Sequence, residues 1–246
     1  MLDKNELIFG TRAVIEAIEA GKDIDKILIK RGLQNELSRE LFEALKGHLI
    51  PVQRVPIEKL NRLTTKNHQG VIAFTSAVTY QRVEDLVPML YEEGKNPLFV
   101  MLDGVTDVRN FGAIARSAEC AGAHGLITPL KNSAPVNSEA MRSSAGALSR
   151  IPVCRVGSIR NTIKALQAEG FQAVAATEKS RKLIYDADFS KPTVIIMGAE
   201  DTGISKEVLK LCDEQLAIPL IGAIESLNVS AAAAVMLFEV VRQRIG

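Results

Sequence analysis

Leu98-Phe99-Val100-Met101-Leu102-Asp103-Gly104-Val105-Thr106-Asp107-Val108-Arg109-Asn110-Phe111-Gly112-Ala113-Ile114-Ala115-Arg116 decides the fold. Five apolar residues in succession, with no polar alternation, describe a strand covered on both faces. A short polar loop follows, and Ala113, Ile114, Ala115 and Ala118 then supply the small apolar positions of a helix. The same unit recurs downstream. Apolar runs at 98–102, 125–128, 151–154, 173–176, 194–197 and 216–218 alternate with helical segments at about 110–122, 137–148, 158–169, 204–213 and 228–244. That alternation predicts an α/β domain: a parallel sheet with helices on both sides. Ligands of such sheets sit beyond the carboxyl ends of the strands, so the loops that follow strands are where chemistry is expected.

Upstream, residues 1–77 read as a small α/β unit. Helical faces lie at Ala13, Val14, Ala17 and Ile18, and at Leu37, Leu41, Ala44 and Leu45; strands lie at Ile27–Ile29, Pro51–Val55 and Val71–Ala77, with a short Pro56-led helix before the last. Residues 78–96 are more polar (Glu84, Asp85, Glu92, Glu93, Gly94, Asn96) and read as a linker with one short helix. The second domain spans 97–246.

Composition narrows the function classes. With 30 basic and 29 acidic residues the net charge is +1, which excludes a partner held by bulk charge alone. No basic segment precedes an apolar core at the N-terminus, and the apolar stretch Val229–Val241 is too short to span a bilayer. A soluble, cytoplasmic protein is expected. Cys120, Cys154 and Cys212 and the histidines His48, His68 and His124 are scattered, with no metal-ligand spacing. The cysteines read as free thiols used as small buried hydrophobes. No metal is expected.

Three loops carry the candidate chemistry. In the first, Asn110 stands where a helix N-cap belongs, and Arg116 lies six residues on, among small residues that imply close packing and an anionic partner. In the second, Gly198 and Gly203 have the GxxxxG spacing of a phosphate loop with Ser205 in place, but Ile204 occupies the lysine position and Glu200 and Asp201 sit where phosphates would be cradled. No GxGxxG occurs either, so nucleoside triphosphatase and dinucleotide readings lack support. In the third, Gly222 permits a turn, Ser226 or Asn228 can cap the last helix, and Ala231–Ala234 open that helix with a face made for tight packing.

Taken together, LDGVTDVRNFGAIARSA (102–118), IIMGAEDTGIS (195–205) and IPLIGAIESLNVSAAAAVMLFE (218–239) resemble motifs one, two and three of the SpoU/TrmH group of SPOUT methyltransferases, in order and spacing, over 97–246. The N-terminal unit, with His68-Gln69-Gly70 before its last strand, is similar to the small substrate-binding domain of the family's ribosomal RNA members. The resemblance implies a SPOUT domain ending in a trefoil knot, and methyl transfer from S-adenosylmethionine to a ribose 2′-hydroxyl of RNA. It implies cofactor contacts at Thr177, Gly198, Ile218, Gly222 and Leu227, and catalytic roles for Asn110, Arg116, Glu200, Ser226 and Asn228. It also implies a homodimer through the knotted region, in which Arg116 or Asn110 acts in the partner's site. One departure is visible: the family often has glycine after the motif-two glutamate, where Asp201 stands here.

The two-domain layout favours a guanosine of 23S ribosomal RNA as target over transfer RNA. A catalytically silent RNA-binding protein of the same fold is the reading from another class, opposed by the intact motif residues. Lys131, Arg142, Arg150, Arg155, Arg160 and Lys164, against Glu139 alone, suggest a positive surface in the catalytic domain. Arg12, Lys30, Arg31, Arg62 and Lys66 do so in the small one.

Overall fold

The computed structural model describes residues 7–245, so the residues 1–6 read above as free of a leader lie outside it. The chain divides into two units, 7–79 with 135–138, and 80–134 with 139–245.

The first unit runs β1 (Leu7–Phe9), α1 (Thr11–Glu19), β2 (Ile24–Lys30), α2 (Glu36–Ala44), β3 (Val52–Val55), α3 (Ile57–Leu63) and β4 (Val71–Thr75). Its sheet has the order β1-β4-β2-β3, with β1 and β2 antiparallel to β4 and β3 parallel to β2. Val14, Ile15, Ile18 and Leu41 from α1 and α2 pack with Ile27, Ile29, Val71 and Ala73, while Leu60 of α3 packs with Leu28, Val55 and Ile72. Alternating strand residues thus face opposite layers. His68 is buried: its Nε2 lies 2.9 Å from Asn61 Oδ1, and its Nδ1 accepts from the Gly70 amide at 3.0 Å. Gln69 holds a left-handed φ of 51° and its Oε1 accepts from the Thr11 amide at 3.2 Å, closing the N-terminus of α1. The His68-Gln69-Gly70 turn therefore has a structural explanation.

The second unit runs β5 (Tyr80–Gln81), α4 (Val83–Glu92), β6 (Leu98–Asp103), α5 (Val108–Cys120), β7 (Gly125–Pro129), α6 (Ser138–Ser143), β8 (Val153–Val156), α7 (Ile159–Ala168), β9 (Gln172–Ala176), β10 (Thr193–Gly198), α8 (Lys206–Leu209), β11 (Glu214–Leu216) and α9 (Val229–Ile245). Seven strands, all parallel, lie in the order β11-β9-β10-β6-β7-β8-β5. One face carries α4, α7 and α8, whose Val83, Leu86, Val87, Leu90, Ile163, Leu166 and Val208 pack on Phe99, Met101, Val194 and Ile196. On the other, α5 packs along α9, which buries Val229, Ala233, Met236, Leu237 and Val240.

Three expectations change. Residues 80–92, read as part of a linker, are the edge strand β5 and helix α4 of the second unit, because Val83, Leu86, Val87 and Leu90 form a buried stripe behind the acidic residues that made the segment look polar. The helix expected over 204–213 is a single turn, α8. Cys120 is exposed rather than buried; Cys154 is buried, and burial pushes its thiol pKa up to about 12.

Candidate active site

The sheet's strand order changes direction at β6 and β10, which lie side by side with Gly198 opposite Asp103. Beyond their carboxyl ends the three motifs meet. The N-cap of α5 is Asp107, not Asn110: its Oδ1 accepts from the amides of Arg109 and Asn110, both at 2.9 Å. Those bonds, the Asn110 amide foremost, hold the Asp107 carboxyl below its ordinary pKa. Asn110 is therefore free of capping duty, and its side chain points across the strand ends. Asp107 was legible as an acid just ahead of the helical pattern.

After β10 the chain turns back sharply. Ala199 and Gly203 pair through two main-chain hydrogen bonds, and a Cβ added to Gly198 would sit 2.2 Å from the Gly203 carbonyl carbon. That hairpin, followed by only one helical turn, has no resemblance to a phosphate cradle. It presents Glu200 toward Asn110, whose Nδ2 donates to Glu200 Oε1 at 2.7 Å. Asn228 caps α9 by accepting the Ser230 amide on Oδ1 at 2.9 Å, while its Nδ2 donates to Glu200 Oε1 at 2.6 Å and to Asn110 Oδ1 at 3.1 Å. The capping and the functional readings of Asn228 are both realised by one side chain.

Beside this cluster, an open cleft lies at the ends of β9 and β11. Ala176, Leu216, Ile218, Leu220, Leu227 and Ala232 give it apolar walls, and Thr177, Glu178 and Ser226 its polar groups. An apolar slot with few polar side chains, built on strand ends and loop backbone, fits the adenosine and methionine arms of S-adenosylmethionine. Thr177, Ile218, Leu227 and Ser226 are thus brought together. Gly198 is not on the cleft wall; its lack of a side chain serves the close approach of the hairpin. Gly222 is also off the wall, with open space where a Cβ would stand. Glu178 was not anticipated.

Arg116 does not join the cluster. It lies about one and two-thirds turns beyond Asn110, on another side of α5. Phe111, Ile114, Ala115 and Ala118 take up the packing there, and Arg116 is exposed with no hydrogen bond or ion pair among the described residues. The small residues pack α5; they do not bury the guanidinium against a carboxylate. Arg155, counted above among surface cations, is buried on β8, with its guanidinium over the Tyr80 ring and bonded to the Tyr80 hydroxyl. Among the described residues, no three His, Cys, Asp or Glu side chains converge as a metal site, and no helix is long and apolar enough to cross a membrane.

Comparison with known proteins agrees with this geometry. Residues 97–238 match the model of the SpoU rRNA Methylase family, and residues 7–81 match the model for RNA 2′-O ribose methyltransferase substrate binding. The chain is 30% identical over 244 residues to YacO of Bacillus subtilis, named for the TrmH family of tRNA/rRNA methyltransferases, covering 99% of this chain and 98% of that one. It resembles the AdoMet-bound rRNA methyltransferase of Sinorhizobium meliloti with a TM-score of 0.62 and 27% identity, over 98% of this chain and 88% of that one. For the A. aeolicus TrmH/SpoU tRNA modifying enzyme the TM-score is 0.56 at 29% identity, over 65% of this chain and 83% of that one. A parallel α/β sheet with these motifs gathered at its strand ends defines an RNA methyltransferase dependent on S-adenosylmethionine. The chain belongs to the SpoU rRNA methylase family.

Proposed function

We propose that the protein methylates the ribose 2′-hydroxyl of a guanosine in 23S ribosomal RNA, as a cytoplasmic homodimer. The observation that carries the reaction is the convergence of Asn110 and Asn228 on Glu200 beside the apolar cleft. The ribosomal choice is supported by the likeness over both units to the rRNA methyltransferase of Sinorhizobium meliloti, whereas the tRNA modifying enzyme covers 65% of the chain. In the small unit, exposed Arg12, Lys30, Arg31, Arg62 and Lys66 suit an RNA surface.

S-adenosylmethionine supplies an electrophilic methyl group on a good leaving group. Thr177, Ile218, Leu227 and Ser226 would hold it, with Gly198 and Gly222 shaping the neighbouring loops. The chain's own task is to align and activate a poorly acidic hydroxyl. To act as a nucleophile the ribose hydroxyl must give up its proton to water, and negative charge develops on its oxygen as the proton departs. Arg116 stabilises that charge and grips the adjacent phosphate, since a guanidinium stays protonated. Glu200, with Asn110 and Asn228 behind it, orients the hydroxyl.

Because Arg116 is exposed and apart from its own cluster, it serves the partner's site. The apolar surface for such a dimer is available: Leu220, Ile221, Ile224 and Leu227 on the last loop, and Val235 and Phe238 on α9, are exposed. The C-terminal knot of the fold belongs to the same reading.

Transfer of labelled methyl to unmodified 23S RNA and to bulk transfer RNA tests the proposal. Alkali-resistant label at one 23S position is expected. Label in transfer RNA alone overturns the substrate, and no label in either, with the cofactor bound, favours an RNA-binding role without catalysis.

A further inference from the structure

We infer that Ser230 is a positioning residue for methyl transfer: its hydroxyl holds the Asn228 amide in place, in the polarity that the Ser230 main-chain amide and the Glu200 carboxylate set, and through it the donors that reach Glu200. The inference rests on the function proposed above. It begins from the asymmetry of an amide, which has one accepting end and one donating end.

Asn228 Oδ1 receives two bonds from the same residue, the Ser230 amide at 2.9 Å and the Ser230 hydroxyl at 2.6 Å. Its Nδ2 then faces Glu200 Oε1 at 2.6 Å and Asn110 Oδ1 at 3.1 Å. Turning the amide over would set its N–H groups against the Ser230 main-chain amide, which can only donate, and its oxygen against a carboxylate, so those two groups exclude that arrangement and the hydroxyl adds a second hold on Oδ1. The polarity passes on. Because Asn110 Oδ1 accepts from Asn228, Asn110 Nδ2 is the end that donates to Glu200 Oε1. Oε1 is thereby filled by two donors, and Oε2 carries no hydrogen bond among the described residues. One carboxylate oxygen is anchored and the other is left open to receive a hydroxyl.

The two Ser230 donors have separable work. The amide closes the helix cap and persists whatever the side chain. The hydroxyl bond adds nothing the cap requires, and serves only to hold the Asn228 side chain.

Ser230→Ala removes the hydroxyl alone, and Ser230→Thr restores it. In Ser230→Ala, kcat is expected to fall roughly 5–10-fold, with the thermal midpoint, the S-adenosylmethionine Kd and the KM for RNA essentially unchanged; Ser230→Thr recovers most of the rate. The Asn228 side-chain NH₂ resonances of isotope-labelled Ser230→Ala are expected to lose protection from exchange. An unchanged kcat, a loss of rate matched by weaker cofactor binding, or no recovery in Ser230→Thr overturns the inference. Should the unaltered protein methylate no RNA, the proposed function fails instead, and the Asn228 exchange measurement still decides whether the Ser230 hydroxyl holds the Asn228 side chain.

Discussion

Asn110 and Asn228, 118 residues apart, donate to the same atom, Oε1 of Glu200, from 2.7 and 2.6 Å. A single carboxylate oxygen therefore ties the first turn of α5, the β10 hairpin and the cap of α9. Glu200→Gln retains the shape and removes the charge, and one end of the new amide presents N–H to the two donors or to the incoming hydroxyl. Methyl transfer is expected to drop roughly 10²-fold, while binding of S-adenosylmethionine, measured calorimetrically, stays within about twofold because the cleft wall does not include Glu200. Equal losses in both would assign Glu200 to the cofactor.

Arg116 and Asn110 share one helix yet serve different copies of the site in the dimer proposed above. Arg116→Ala and Asn110→Ala homodimers should each be nearly inactive. Mixing the two after reversible dissociation should restore about a quarter of the normal rate, since half the dimers are mixed and each holds one complete site. Absence of recovery, with exchange of subunits verified by mass, would place both residues in one site.

Much of this was open to reading in the chain. The strands of the second unit declare themselves because burial on both faces leaves no room for polar alternation, as in Leu98–Leu102. Short edges do not: β1 has three residues and β5 two, too few for a period. The one short helix read within 78–96 is α4, but its place in the second unit's core hid behind Glu84, Asp85 and Glu92, although its buried positions keep helical spacing. The candidate site was legible only through its motifs. Spacings of 90 and 28 residues between Asn110, Glu200 and Asn228 follow from strand order, which local pattern does not encode. The isolation of Arg116 is likewise a matter of which side of α5 meets α9.

Gly198 gives a prediction on stability. Its missing side chain faces the Gly203–Ile204 backbone, and an added Cβ would lie 2.2 and 2.3 Å from two main-chain atoms there. Main chain in a paired hairpin cannot step aside as a flexible side chain does. Gly198→Ala should cost about 3 kcal/mol, whereas Gly222→Ala, with open space around its Cβ, should cost under about 0.5 kcal/mol. Chemical denaturation of the two variants checks the contrast; similar midpoints would mean that the hairpin opens easily.

His124 sets a limit on acid stability. Its Nδ1 accepts from the Leu98 amide at 3.1 Å, and its own amide donates to the Leu98 carbonyl at 2.7 Å, pinning the start of β6 beside β7. Burial, and then the positive charges of Arg244 and Lys95, hold the ring below its ordinary pKa. The folded ring therefore stays neutral at a pH where the unfolded chain already binds a proton. Above about pH 6.5 both forms are neutral and His124 adds no pH dependence. As pH falls below that value the unfolded state gains protons first, so stability declines until the folded ring titrates too. Thermal midpoints measured at about pH 7.5 and about pH 5.5 should fall more for the unaltered protein than for His124→Ala, although the variant starts lower for loss of the Leu98 bond. Equal declines in the two proteins would transfer the acid sensitivity to the carboxylates.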